Sequence, residues 1–358
     1  MTGRVESARL IISALEDVLP GKQEGAGEIK VTAQKGERWL LTIGRESYVV
    51  LGPSALEGLS TLPDAADSTR SIFSFFRETG GAVLLAGAMR SGKSAVFNQT
   101  VIRTVNFNLE TGNSAPLPVV VGRAKKGRQV DVMAELQKNI GSFASFNFQI
   151  EGPLDFLYFV EQQLEGRRGK LRLAALEEVG ILLFSREEYL AKVLENIDFY
   201  LGRAGLPDQL KESFEKALQK SDPAQCFGEE FVLMTQALGA KGINFIGATV
   251  DRFTSGQPWP PTAQFCAMAR ESEKYQVHRR FSECLGCGEP AVISAVTEPL
   301  DKVVKVGKKD YRIYRVITDL SGSVEAVEPY FAPLCAGCND QIRSGLASAD
   351  WPEIWVQK

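Results

Sequence analysis

A chain of 358 residues is long enough for about two domains at the usual ~150 residues each, and its 44% hydrophobic and 24% charged residues are those of an ordinary globular protein. Its 41 Lys and Arg against 44 Asp and Glu give a net charge of -3, which excludes a chain-wide field for phosphate backbones or anionic lipid; a nucleic-acid reader would need a local basic patch. The longest apolar runs, 82–88 and 180–184, fall far short of the ~20 residues of a membrane span, which predicts a soluble chain with no membrane partner.

The first residues carry one Arg, then Glu6 and a short amphipathic run broken by Glu16 and Asp17. That is not the pattern of a secretory leader, so a cytoplasmic location is expected. Apolar spacing predicts a helix over 5–18, ended by Pro20 and Gly21. Strand-like runs at 28–34, 38–43 and 47–51, separated by Lys35-Gly36 and Gly44-Arg45, predict a small β-meander. Residues 52–68 read as a linker and 69–78 as a helix stopped by Gly80 and Gly81, so residues 1–66 are expected as a small α+β accessory module. From Gly81 onward, short apolar runs at 82–86, 118–122, 171–176 and 243–247 alternate with helical stretches, the sign of a parallel α/β sheet buried on both faces. Helices expected over 186–201, 207–219 and 229–238 form an insertion at about 183–240. A further helix is expected after Pro261 through about Tyr275, then strands at 291–296, 302–306 and 311–316.

Gly87-Ala88-Met89-Arg90-Ser91-Gly92-Lys93-Ser94 fits G-x-x-x-x-G-K-[ST], with an apolar strand before it and a helix-compatible run, 95–104, after it. Glycines let backbone N–H groups turn toward an anion, and a helix N-terminus adds partial positive charge. A loop of this kind would put Lys93 on the β- and γ-phosphates of ATP and the Ser94 hydroxyl on Mg²⁺. A chance Gly/Ser turn is the competing reading, disfavoured by the strand-to-helix context. Magnesium needs a second, acidic anchor at a neighbouring strand end, and Glu177-Glu178 closes the one apolar run that ends in paired carboxylates. Glu177 would hold the metal shell and Glu178 would accept a proton or orient a nucleophile. A solvated first turn of a helix is the alternative for this pair. Lys93 and Glu178 are thus the candidate catalytic residues, on an α/β fold of the P-loop NTPase type spanning residues 67–280.

His278 is the only histidine, which excludes Ser-His-Asp and His-rich metal chemistry. Of six cysteines, Cys284, Cys287, Cys335 and Cys338 form two C-x-x-C pairs with 47 residues between them. In a cytosolic chain this reads as a closed, structural Zn²⁺ site in a C-terminal zinc ribbon, residues 281–358, with a redox dithiol pair as the alternative. Cys226 and Cys266 are expected as small apolar core residues.

These features together resemble the zinc-containing thymidine kinase family. Met89 and Ser91 match that family's version of the loop. The run 242–248 resembles its strand before the base-binding segment, Gly256-Gln257-Pro258-Trp259-Pro260 its following turn, and Cys284-x-x-Cys287-Gly288-x-Pro290-Ala291 its first knuckle. The likeness covers roughly residues 81–345. It departs at Val179-Gly180-Ile181-Leu182, where the family has a Gln and two aromatics, and in the closing loop before Cys335.

The resemblance implies an ATP·Mg²⁺-dependent kinase of a deoxynucleoside, cytoplasmic, with Glu178 taking the proton of the 5′-hydroxyl and Glu177 anchoring Mg²⁺. Trp259 would pack on the base, Ser294 would contact the pyrimidine edge, and Tyr330 would belong to the lasso over the nucleoside. Arg90 or Arg128 would stabilise charge on the transferred group. The second reading is a P-loop ATPase, or a degenerate kinase-like module, whose N-terminal segment or insertion binds nucleic acid or protein. The basic run 123–128 could serve phosphates or such a partner, a solvated face being its commoner meaning. A homo-oligomer is compatible with either reading.

Overall fold

The computed structural model describes residues 29–35, 37–43, 46–54, 65–76, 80–88, 91–110, 118–125, 131–167, 172–180, 182, 186–252, 256–306, 308–317 and 330–344, together with Leu10 and Ser13. Apart from Leu10 and Ser13, the helix expected over 5–18 lies outside these residues, as does the centre of the 52–68 linker. The expected meander is present: β1 (Ile29–Lys35), β2 (Arg38–Ile43) and β3 (Glu46–Leu51) pair antiparallel and bury Trp39, Leu40, Leu41, Val49 and Val50. The helix α1 (Ala66–Phe75) follows, burying Thr69, Ile72 and Phe73.

A parallel sheet comes next. In chain order its first part comprises β4 (Ala82–Gly87), α2 (Lys93–Glu110), β5 (Val119–Ala124), α3 (Asp131–Ile140), β6 (Ala144–Ile150), α4 (Pro153–Arg167) and β7 (Leu173–Glu177). Helices α5 (Arg186–Glu195), α6 (Ile197–Arg203), α7 (Asp208–Leu218) and α8 (Pro223–Ala240) lead to β8 (Asn244–Thr249), α9 (Pro260–Glu271) and β9 (Tyr275–Arg280). The strand order is β6-β5-β7-β8-β4-β9, and every pair is parallel. Only β8 separates β4 from β7, so Gly87, Thr249 and Glu177 end neighbouring strands at the same edge of the sheet.

All residues of β4, β5, β7 and β8 are buried, as strands covered on both faces must be. Alternation sends Leu84, Val120, Leu176 and Phe245 into one apolar layer and Val83, Leu85, Val121 and Ile246 into the other. Each fully buried aliphatic side chain contributes about 1.5–3 kcal/mol. Helices α1, α2 and α3 cover the second layer through Ile72, Phe97, Val101 and Leu136. The first is covered by α4 to α9, so the expected insertion at 183–240 packs on the face opposite α2.

Two strands, β6 and β9, lie outside the four expected for this sheet. Both are edge strands, and their sequences, Ala144–Ile150 with Ser145, Asn147 and Gln149, and Tyr275–Arg280 with its His and two Arg, lack the continuous apolar run of a central strand. The helix expected to reach Tyr275 therefore stops at Glu271, with Ser272 already extended. The stretch expected as one helix over 186–201 is broken at Asn196 into α5 and α6.

A buried polar cluster ties the insertion to α4. Arg186 Nη1 lies 2.5 Å from Glu230 Oε2, Arg186 Nη2 donates to Cys226 Sγ at 2.8 Å, and the Tyr189 hydroxyl donates to Glu230. The Leu154 backbone N–H in turn donates to the Tyr189 hydroxyl at 3.2 Å. Cys226 is thus buried as expected, but as an acceptor rather than as plain apolar filling.

The remaining elements are β10 (Ser282–Glu283), β11 (Pro290–Ala291), β12 (Ile293–Val306), β13 (Lys309–Ile317), β14 (Tyr330–Leu334) and α10 (Ala336–Ser344). The runs expected as separate strands at 291–296 and 302–306 belong mostly to one strand, β12, with a register shift between Leu300 and Val303. A second, antiparallel sheet has the order β1-β2-β3-β13-β12-β14, joined across β3 and β13 from Leu51↔Arg312 to Ser47↔Val316. Strands from the segment expected as an accessory module, 1–66, and from the segment expected as a zinc ribbon, 281–358, therefore share one sheet. No helix among the described residues is long and apolar enough to cross a membrane.

Candidate functional site

The loop 87–94 leaves β4 at Gly87, where a Cβ would run into the Arg280 carbonyl oxygen of β9 and lie 2.8 Å from Ser91 Oγ. Gly92 has φ 78°, a conformation that favours glycine, and α2 begins at the next residue. Lys93 Nζ donates to the carbonyls of Gly87 (2.8 Å) and Ala88 (2.7 Å) and lies 3.4 Å from Ser91 Oγ. Burial draws the Lys93 pKa down to about 8 against the opposing pull of Asp251 and Glu177. Ser94, in the first turn of α2, is close enough to the Glu177 carboxyl to draw its pKa down. Met89 and Arg90 lie outside the described residues.

Glu177 closes β7 and is 6% exposed. Burial is the main cause that raises its pKa, with the neighbouring Glu178 charge next, while Ser94, Arg123 and Lys93 pull the other way. Glu178 has φ 55°, the one positive φ at a non-glycine among the described residues. A residue held there carries strain of about 1–3 kcal/mol, a cost that concentrates at working sites. Arg123, from the end of β5, donates from Nε and Nη2 to Glu178 Oε2 at 3.2 Å each and lies 3.9 Å from Glu177 Oε2. The register makes this inevitable, since Arg123 pairs with Glu177 across β5 and β7. Arg123 is therefore a buried partner of both carboxylates, which corrects the expectation of a solvated basic run at that position. Arg128, further along the run, lies outside the described residues.

Two further groups at this edge carried no motif. Asp251, 5% exposed just beyond β8, sits close enough to Lys93 to influence it and lies 3.4 Å from Arg279 Nε. Arg280, at the end of β9, reaches the Ser91 carbonyl through Nε at 3.4 Å and Ser68 Oγ through Nη1 at 2.8 Å. Only their position at or just past strand ends could have signalled them. His278, on β9, is half-buried against Gln276 at 3.0 Å.

Two of the residues expected to hold a nucleoside, Trp259 and Ser294, are buried. Trp259 is 2% exposed within the apolar layer that also holds Leu176 and Phe265, so its ring is core and not an open stacking face. Ser294 is buried on β12 opposite Pro333 of β14, and Tyr330 begins β14 opposite Thr297. The side chain of Tyr330 lies outside what is described. Among the described residues, the loop, Glu177 and Glu178 come together, while Trp259 and Ser294 are buried.

The four expected cysteine ligands do converge. The sulfurs of Cys284, Cys287, Cys335 and Cys338 all lie within 4.8 Å of one another, with Cys287 and Cys335 3.5 Å apart. Tetrahedral Zn–S bonds of about 2.3 Å require S···S separations of about 3.8 Å, so four thiolates here could hold a structural metal such as zinc. The hydrogen bond with Cys284 is the chief influence drawing the Cys287 thiol down to about 7, and it draws Cys335 down as well. Knuckle hydrogen bonds brace the set: Cys284 N–H to the Glu289 carbonyl at 2.7 Å and Cys338 N–H to Cys335 Sγ at 3.3 Å. Cys266, half-buried, stands apart, 3.6 Å from Arg279 Nη2. Compared with protein-family models and with curated proteins, the chain matches none.

Proposed function

We propose that the chain binds a Mg²⁺-complexed nucleoside triphosphate, ATP on the sequence reading, at the loop 87–94 and cleaves its terminal phosphoanhydride bond. The observation that carries this reading is the placement of the loop, with Lys93 Nζ on the Gly87 and Ala88 carbonyls, at the same edge of the parallel sheet as the carboxylates at the end of β7. Phosphoryl transfer depends on positioning and charge neutralisation, and these groups supply both. Phosphate oxygens would replace the Gly87 and Ala88 carbonyls as acceptors for Lys93 Nζ. Ser94 and Glu177 would hold the Mg²⁺, which when bound neutralises charge on the phosphates. Glu178 would orient the attacking water and take its proton as the new P–O bond forms and the bridging P–O bond breaks. Arg123 fixes where that carboxylate points.

The same carboxylate would serve a nucleoside 5′-hydroxyl, the acceptor implied by the resemblance to thymidine kinases. Burial of Trp259 and Ser294 favours water instead. The test is ADP release by the metal-loaded protein with and without a panel of deoxynucleosides, alongside Glu178→Gln. Hydrolysis that needs Mg²⁺, is indifferent to nucleosides and is lost in the variant is the expected result. Nucleoside monophosphate would establish the kinase instead, and a protein that neither binds nor cleaves nucleotide would overturn both.

A further inference from the structure

The cysteine centre and the loop 87–94 share one apolar cluster. Ala88, 1% exposed, belongs to the same apolar cluster as Cys284, Leu285, Cys287 and Cys338. A second connection runs through β9, whose Arg280 pairs with Gly87 and whose chain reaches Cys284 four residues later. The Arg280 guanidinium adds a third by donating to the Ser91 carbonyl at 3.4 Å. The loop backbone is thus held on one side by α2, through Lys93, and on the other by the end of β9, which leads into the knuckle that carries two of the cysteines. Close-packed interiors transmit displacement rather than absorb it.

We propose that a metal ion in the cysteine centre is a positioning element for the loop, and that Ala88 and Arg280 carry its effect. With four thiolates gathered, Leu285 and Ala88 are fixed and the loop keeps the shape that accepts phosphate. Without the metal, the knuckle relaxes and the loop relaxes with it. This inference rests on the loop being a nucleotide site, and linkage then makes the effect reciprocal: bound nucleotide must retain the metal.

Two measurements test it. Hydrogen exchange is compared between metal-loaded and metal-stripped protein with no nucleotide present, so its outcome is independent of the nucleotide reading. Peptides over 82–97 should lose protection together with those over 282–291, while those over 173–177 keep it. Protection retained over 82–97 while 282–291 opens overturns the proposal. Should stripping unfold the whole chain, the second measurement decides: the rate at which a chromophoric chelator takes metal from the loaded protein, with and without Mg·ADP. Nucleotide should slow capture by at least about fivefold, and Ala88→Gly, at a Mg·ADP concentration shown by calorimetry to saturate the variant, should bring that ratio toward one. Equal rates in the presence of calorimetrically demonstrated nucleotide binding overturn the proposal. Absence of ADP binding alongside a positive exchange result overturns the nucleotide reading and leaves the mechanical link standing.

Discussion

Raising the pH should weaken nucleotide binding through one side chain. Lys93 in the free protein titrates at about 8 rather than 10.5, because its ammonium is buried and the pull of Asp251 and Glu177 only partly offsets this. Its protonated fraction is then about 0.9 at pH 7 and about 0.09 at pH 9, so affinity for a triphosphate that needs the charged form should fall about tenfold over that interval. Phosphate charge in the complex keeps the lysine protonated, so binding above pH 8 takes up a proton. The same shift makes stability rise with pH between about 8 and 10.5, where the unfolded chain binds the extra proton, and leaves it flat below. Calorimetric titration with Mg·ADP in buffers of different ionisation enthalpy measures both the affinity and the proton uptake. In Lys93→Arg the guanidinium stays charged throughout, and the alkaline loss should disappear whatever the absolute affinity. A flat wild-type profile, or an equal slope in Lys93→Arg, would refute the assignment of the charge to Lys93.

Four other substitutions address the remaining parts of the design. Glu178→Gln should lower turnover by about 10²–10⁴-fold with nucleotide affinity kept, read by single-turnover kinetics against equilibrium binding. Gly87→Ala should abolish nucleotide binding and cost about 1–3 kcal/mol of stability, because the obstacle to a Cβ is the Arg280 backbone rather than a movable side chain. Glu230→Leu should destabilise by about 3–5 kcal/mol in denaturant titration by stranding buried Arg186, and the double variant with Arg186→Met should recover most of that loss. A double variant no better than the single would show that the cluster acts through shape and not through charge.

The centre of the parallel sheet was legible because two-sided burial writes itself as unbroken apolar runs, as in Ala82–Gly87 and Asn244–Thr249. The edge strands β6 and β9 were not, since a strand with a partner on one side only tolerates Asn147, Gln276 and His278. The loop 87–94 and the cysteine pairs were legible for another reason, that local spacing alone defines them. Arg123 and Asp251 had no such spacing. Their place at the site follows from β5 and β8 lying on either side of β7, a fact of topology that no local window contains. Trp259, which the resemblance places on a base, is buried in the core; an aromatic after a turn looks the same in sequence whether it faces a ligand or the core.

The pairing of Tyr48 with Arg315, 267 positions later, orders events during synthesis. At about 5–20 residues per second, a ribosome needs on the order of tens of seconds to deliver β13 after β3 has emerged. The parallel sheet is complete once Arg280 is out, whereas Leu40, Val49 and Leu51 wait for Tyr314, Val316 and the cysteines that belong to their cluster. The nascent chain therefore presents a finished α/β core with an unmatched apolar meander ahead of it. That interval is when a chaperone would find this protein, and when a truncated product would be most prone to aggregate.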